Sequence, residues 1–371
     1  MKILHMNSYY SNRFFYKNLY DKQIDDGLDI DVYVPVPYSY KKPEKSLGTY
    51  TRICPNHGKY DRILFHLKHN KIYKDIVKQY KIKQYSLVHA HSLFSNGYIA
   101  MRLKQDFGTP YIVAVRNTDI YTFFKYMIHL RRLGVRILHN AEKLVFLSET
   151  YRDKVMEECV PSSMKEEIFN KAIIIPNGID DFWLANKGDV KKTPDINNLR
   201  LLYVGVIDKV KNVTTTVKAV RILRQQGYNV EYTIVGKIED QSIYGEIKNI
   251  PYVNYIQQMP KEELIKVYRS NDIFVMPSIY ETFGLVYAEA ISQGLPVIYT
   301  KDQGFDGQFE NGKVGYSVDC FSPEDIANKI LDVIKNYKSL TSNCIELCSK
   351  FDWNLLEKEY KRIYEECLAN L

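Results

Sequence analysis

Short apolar runs rich in β-branched residues alternate with longer amphipathic segments along most of the chain, the pattern of parallel strand-helix-strand units rather than of a sandwich. In the first half, Lys2–Met6, Ile30–Val36, Leu87–His91, Tyr111–Val115, Leu144–Leu147 and Ile173–Ile175 predict strands. A helical period predicts helices over Arg13–Asp25, Gly97–Gln105, Tyr121–His139 and Glu149–Glu158. In the second half, Leu201–Val204, Glu231–Val235, Tyr252–Ile256, Ile273–Met276 and Val297–Thr300 read as strands, with helices near Val213–Gln226, Lys261–Arg269 and Gly284–Gln293 between them. The stretch Leu184–Asn198, LANKGDVKKTPDINN, has little apolar content, a Gly and a Pro. It predicts a linker (185–198) between an N-terminal domain (1–184) and a C-terminal domain (199–351). A last amphipathic helix follows Phe351-Asp352-Trp353 and ends near Ala369.

Length agrees with two domains, because 371 residues exceed what one hydrophobic core ordinarily serves. With 45% apolar and 26% charged residues, the composition excludes disordered, collagen-like and coiled-coil chains. No apolar run reaches the ~18 residues of a membrane span, and polar residues arrive early in Met1-Lys2-Ile3-Leu4-His5-Met6-Asn7, so neither an export signal nor a spanning helix is expected. Six cysteines (54, 159, 320, 344, 348 and 367) stand without CxxC spacing, which suits a reducing compartment. A cytoplasmic protein follows, with no nucleic acid expected as partner. Charge is concentrated: from Lys41 to Gln84, 12 Lys or Arg face 3 Asp or Glu, within a chain whose net is only +7. That region, with the aromatic and basic segment Tyr121–His139, predicts docking on an anionic membrane surface; a buried helix with a solvated basic rim is the competing expectation.

The segment Met276-Pro277-Ser278-Ile279-Tyr280-Glu281-Thr282-Phe283-Gly284-Leu285-Val286-Tyr287-Ala288-Glu289-Ala290 carries the most chemistry. A buried strand ends at Pro277, and Gly284 opens a helix whose first N–H groups suit an anion or sugar hydroxyls. Glu281 falls at the carboxyl end of a parallel strand, where α/β folds take ligands, and Glu289 follows after seven residues, so the two carboxylates can address opposite ends of one extended polar ligand.

PSIYETFGLVYAEAISQGLPVI resembles the E-x7-E signature of family 4 retaining glycosyltransferases. LVHAHSLFSNGYIA, IIIPNGID, YVGVIDKVKN, YTIVG and FDWNLLEKEYKRIYEECL are similar to further family segments in the family's order, over nearly the whole chain. The resemblance implies an α/β GT-B fold, two Rossmann-like domains with parallel sheets facing across a cleft, the terminal helix (352–371) packing back on the first. It implies a transferase moving a hexosyl or N-acetylhexosaminyl group, with retention, from a nucleotide diphosphate sugar to an acceptor hydroxyl. A UDP-sugar is favoured as donor over a GDP- or ADP-sugar. The acceptor would be a glycan or lipid-linked glycan in bacterial polysaccharide assembly, at the inner face of the membrane, with no metal or other cofactor. By the same resemblance Glu281 contacts the donor sugar, the amides of Thr282, Phe283, Gly284 and Leu285 hold sugar and diphosphate, and Glu289 binds the ribose. Lys211 neutralises the departing diphosphate, Gly205 and Gly236 admit the nucleotide, and Met259 meets the base. His91, Asn117, Asp119 and Asn177 are the acceptor-side candidates.

Three departures stand out. Val206 occupies the position of the usual arginine after Gly205, leaving one phosphate cation fewer. Arg116-Asn117-Thr118-Asp119 replaces His-Gly-x-Asp, which removes imidazole chemistry there and makes Arg116 a substitute candidate. The glycine-rich turn after the first strand is Ser8-Tyr9-Tyr10-Ser11-Asn12-Arg13. No GxGxxG, P-loop or HExxH occurs, and Asp29-Ile30-Asp31 reads as a strand-entry pair rather than a metal-binding DxD. His89 and His91 share one strand face and suit hydrogen bonding or acceptor contact better than a metal. A nucleotide-sugar epimerase and a degenerate sugar-nucleotide-binding protein are the alternative functions.

Overall fold

A computed structural model describes residues 1–12, 14–41, 46–62 and 64–369. Arg13, in the turn singled out above, and Lys42–Lys45 of the basic region lie outside the described residues. The chain forms two compact units: Met1–Pro176 with the chain from Trp353 onward, and Asn177–Asp352.

The first unit carries a seven-stranded parallel sheet: β1 Lys2–Met6, β2 Asp29–Pro37, β3 Thr51–His57, β4 Leu87–Ala90, β5 Tyr111–Ala114, β6 Lys143–Phe146 and β7 Ala172–Ile174, ordered β3-β2-β1-β4-β5-β6-β7. The second carries six: β8 Leu199–Val204, β9 Val230–Gly236, β10 Val253–Gln257, β11 Ile273–Met276, β12 Val297–Thr300 and β13 Gly315–Val318, ordered β10-β9-β8-β11-β12-β13. The central strands are continuous apolar runs because helices cover both faces; β4, β5, β11 and β12 are buried throughout. In each sheet the winding reverses once, at β1/β4 and at β8/β11, and such switch points bind ligands at the carboxyl ends of the strands.

Helix Trp353–Ala369 belongs to the first unit and lies against helix Phe15–Asp25. Gln23 donates to the Tyr364 hydroxyl at 3.1 Å, and Lys361 pairs with Asp26. Between these helices and β1/β4 sits a buried imidazole cluster. In-register pairing sets His5 opposite His89, and His91 follows on the same face as His89. His5 Nδ1 meets His91 Nε2 at 3.1 Å, and Tyr364 reaches His89 Nδ1 at 2.8 Å. Ligand atoms of the three rings lie within 4.8 Å of one another. Burial, with a smaller contribution from the other rings and from buried Arg116, holds the imidazoles of His89 and His91 below their ordinary range.

Several expectations are corrected. Segment Tyr121–His139 is not one helix: a π-helical turn at Asp119–Phe124 and a 3₁₀ turn at Ile128–Leu130 precede helix Arg131–Asn140. Met127, at φ −97° and ψ 64°, breaks it, and Phe124 buries its ring against Gly134, where a Cβ would stand 2.8 Å from that ring. The units divide between Pro176 and Asn177, earlier than the polar stretch Leu184–Asn198. That stretch is fastened to the second unit: Gly188 donates to the Ser292 carbonyl at 2.9 Å, and Lys191 Nζ to the Asn271 carbonyl at 2.6 Å. Strand β3 and helix Phe65–Gln79 occupy the basic region, and β13 with helices Pro323–Lys335 and Tyr337–Leu347 complete the second unit.

Candidate active site

The site is built where β8 and β11 end, on either side of the second sheet's switch point. After β11 the chain turns through Pro277–Phe283, tied down by Ile279 N donating to the Val210 carbonyl at 2.8 Å and by Thr300 Oγ1 donating to the Ser278 carbonyl at 2.7 Å. Gly284 then adopts φ 74°, a left-handed conformation that costs glycine nothing, and starts helix Leu285–Ser292. Among the described residues the N–H groups of Phe283, Gly284 and Leu285 have no hydrogen-bond partner, so this turn keeps donors available to an anion. The Thr282 amide differs from expectation, since it already donates to Glu281 Oε1 at 3.0 Å.

Glu281 is fixed from three sides. Its N–H donates to Gln303 Oε1 and its carbonyl accepts from Gly304 N, each at 3.1 Å. Its Oε2 accepts from Lys211 Nζ at 2.6 Å. Gly304 is required by the close approach: a Cβ there would lie 1.8 Å from the Thr282 carbonyl oxygen. Lys211 comes from the loop after β8, where its N–H donates to Asp208 Oδ1 at 2.8 Å. The next residue, Asn212, takes the left-handed conformation (φ 58°, ψ 33°) and opens helix Val213–Gln225. Its buried Nδ2 donates to the Pro277 carbonyl at 3.0 Å and the Cys320 carbonyl at 2.6 Å, bolting the lysine loop to the glutamate loop. Asn212, Gln303 and Gly304 were invisible as site residues in the sequence; the one signal was an Asn directly before a helix-forming run.

Glu289 sits half-buried in the helix, its Oε2 accepting from the Tyr268 hydroxyl at 3.1 Å. Burial pushes its carboxyl up to about 7; the Tyr268 bond and Lys261 oppose the rise, and Asp180 adds to it. In the same unit Gly236 ends β9 so close to Gly205 that a Cβ would fall 1.7 Å from the Gly205 carbonyl oxygen. A cavity of about 680 Å³ opens past Gly236, lined by Lys237, Ile238, Tyr255, Gln257, Gln258 and Met259. Val206 is half-buried, its carbonyl accepting from the Tyr203 hydroxyl at 2.5 Å, and Lys209 is exposed.

The first-unit candidates gather at the ends of β4 and β5, with burial that departs from expectation. The His91 ring is fully buried in the imidazole cluster, with no surface for an acceptor. Asp119 accepts from the N–H groups of Leu93, Phe94 and Arg116 at 2.9–3.1 Å, and burial pushes its carboxyl up to about 6 against those donors. Arg116 is 4% exposed and donates through Nε to the His91 carbonyl at 3.3 Å; its Nη1 has no partner among the described residues. Asn117 is half-buried, donating to the Tyr151 hydroxyl at 3.2 Å, and Asn177 lies in the second unit.

The second unit thus sets a cationic side chain against a carboxylate beside a turn whose amides are unpaired among the described residues. The model described as glycosyl transferases group 1 matches residues 188–348, and that of glycosyltransferase family 4 matches residues 15–181. The chain belongs to glycosyltransferase family 4. An uncharacterized glycosyltransferase of Methanocaldococcus jannaschii is 24% identical over 91% of this chain and 90% of its own. The capsular polysaccharide biosynthesis glycosyltransferase CapM of Staphylococcus aureus is 27% identical over 69% and 71%. Among solved structures, Anabaena HepE in complex with UDP superposes with a TM-score of 0.73 at 16% identity, covering both chains fully. This family 4 chain thus has the GT-B fold, each unit a parallel α/β sheet.

Proposed function

We propose that this glycosyltransferase moves a sugar from a nucleotide diphosphate sugar to an acceptor hydroxyl with retention and without a metal ion, UDP being the favoured nucleotide. The Lys211–Glu281 pair beside the unpaired amides at Gly284 carries the reading. Charge building on the leaving diphosphate would be met by Lys211 and by the N–H groups of Phe283, Gly284 and Leu285, preorganised donors of the kind that lower such barriers most. Glu281 would hold the donor sugar, Glu289 the ribose, and the cavity beside Met259 the base. Departure and attack would share one face, the diphosphate oxygen taking the acceptor proton. The UDP-bound relative supports the nucleotide, and the capsular relative supports an acceptor in polysaccharide or lipid-linked glycan assembly.

No helix among the described residues is long and apolar enough to cross a membrane. Peripheral attachment to an anionic, cytoplasmic membrane face is the setting proposed. Incubating the protein with UDP-, GDP- and ADP-sugars, and following protection against unfolding together with nucleotide release, tests the reading. UDP-sugar protection with acceptor-dependent release of UDP is expected; an epimerised sugar nucleotide or binding without turnover would overturn it.

A further inference from the structure

The two segments singled out for charge meet in the fold: the rings of Phe65 and Phe123 pack with centroids 6.0 Å apart. Leu64 (58% exposed), Leu67 (46%), Tyr126 (70%) and Ile128 (66%) are turned to solvent, although the same segments bury Phe65 and Phe124 almost completely. Exposed large apolar groups on two segments joined by that ring contact suit an interaction site. The stretch Lys125-Tyr126-Met127-Ile128-His129-Leu130-Arg131-Arg132 holds three cations and no acid, and Lys125, Arg131 and Arg132 are exposed. The interruption at Met127 produces this outward display; an unbroken helix would have sorted the apolar side chains onto a buried face.

Next to it, between the π-helical turn and the second half of helix Glu149–Glu158, lies a cavity of about 320 Å³. Its floor is Ile120 and Phe124, and at its mouth Lys125, Arg131 and Lys154 outnumber the lone carboxylate of Glu158. Arg131 is held in place, its Nε donating to the Phe124 carbonyl at 2.6 Å and its Nη2 to the Lys125 carbonyl at 3.4 Å. Lys154 reaches Glu158 at 3.8 Å and lies 4.9 Å from the centroid of the Tyr121 ring.

We infer that this cavity binds the phosphate headgroup of an anionic phospholipid while Tyr126, Ile128, Leu64 and Leu67 enter the bilayer interface. Three cations fix the sign of the partner, and the apolar side chains beside them select a lipid surface over a soluble phosphate. The inference rests on the peripheral membrane reading above and supplies its contact surface; it is independent of the donor chemistry of the second unit.

Sedimentation with phosphatidylcholine vesicles, and with the same vesicles containing phosphatidylglycerol, tests it. The parent protein should sediment with the anionic vesicles only. Lys125→Ala with Lys154→Ala should lower partitioning by about 25-fold, each lysine contributing about fivefold. Tyr126→Ser with Ile128→Ser should lower it also on the anionic vesicles, while UDP protection and the circular dichroism of both double variants match the parent. If the parent binds anionic vesicles and both double variants bind equally well, this surface is wrong although the membrane reading stands. If the parent binds neither vesicle, both are overturned; if it binds both vesicles equally, the headgroup site is overturned.

Discussion

Lys211 and Glu281 hold each other before any donor is present: Nζ lies 2.6 Å from Oε2, and Oε1 is occupied by the Thr282 amide at 3.0 Å. A donor must therefore exchange partners with them, its diphosphate taking the ammonium and its sugar hydroxyls the carboxylate. The two halves of that exchange are separable by substitution.

Glu281→Gln should lower turnover by at least ~100-fold, through loss of contacts that strengthen as the transferring sugar gains positive character. The same variant should bind UDP without sugar about fivefold more tightly, because a partly exposed ion pair worth about 1 kcal/mol no longer competes for Lys211. Steady-state kinetics beside calorimetric titration of UDP measures both. Weaker UDP binding by the variant would show that the lysine does not change partners.

Lys211→Ala should weaken UDP by roughly 10- to 150-fold, the worth of a charge-assisted contact of about 1.5–3 kcal/mol. Lys209→Ala, on an exposed side chain, should matter clearly less. Adding Val206→Arg to Lys211→Ala should restore part of the affinity, since a guanidinium there would supply the missing phosphate cation. The same titration reads all three, and unchanged affinity in Lys211→Ala would remove the loop after β8 from the phosphate site.

Asn212→Gly should cost about 1–3 kcal/mol of stability, because two buried carbonyls lose their donor while the left-handed backbone remains comfortable. Asn212→Ala should cost about 1 kcal/mol more, for the strain of a Cβ at φ 58°. Urea unfolding ranks the three proteins, and a donor KM rising in both variants would reveal the bolt between the two loops. Equal stability of parent and glycine variant would reduce Asn212 to a turn residue.

The carboxyl of Glu289, raised to about 7, should make donor affinity climb as pH rises through neutrality, since ribose hydroxyls donate best to the ionised form. Glu289→Gln should bind more weakly and lose that dependence. Folding runs the other way: a carboxyl whose folded value lies above its unfolded one favours the folded state at low pH, and this contribution is lost as pH rises through about 7. At about pH 8 the Gln variant should consequently melt higher than the parent while binding UDP less well, a pair of opposite shifts that a purely structural Glu289 would not give.

Burial holds the imidazoles of His5, His89 and His91 neutral, His5 down to about 3. Groups with depressed folded values leave stability intact above about pH 6.5 and erode it below, as the unfolded chain takes up protons that the folded one refuses. Tyr16, Tyr20, Tyr364, Gln23 and Arg116 surround the cluster and offer no carboxylate to stabilise the protonated rings. Asp119, raised to about 6, acts in the opposite sense on acidification, but as one group against three. The parent should lose melting temperature steeply between about pH 6.5 and 5, and His89→Phe should show a shallower loss; equal slopes would mean that His89 is charged in the folded protein.

What the sequence made legible follows from where the physics is local. Continuous apolar runs such as IFVM and YIVA can only be strands covered on both faces, and Gly284 before an apolar helix announces an amide-rich turn. β3, TRICPNH, escaped because its polar residues and Pro55 suit an edge strand, whose pairing with β2 is decided by the fold. The identity of Glu281 and Lys211 was readable from their motifs; their contact spans 70 residues and was not. His91 and Asp119 look like ligand residues in sequence because nothing there tells which face of a strand a helix from the far end of the chain will cover. Helix Trp353–Ala369 closes over the imidazoles, and the amides of Leu93 and Phe94 consume the aspartate.

That helix also sets the order in which the molecule can be made. During synthesis β1 to β7 leave the ribosome first, yet the aromatic face that covers His5 and His89 is translated only after all of the second unit. The second unit is continuous in the chain, from Asn177 to Asp352, and can complete its core while the first still lacks a wall. A released chain that ends at Asp352 should therefore carry a protease-resistant second unit joined to a digestible first one, the reverse of the order in which the two were begun.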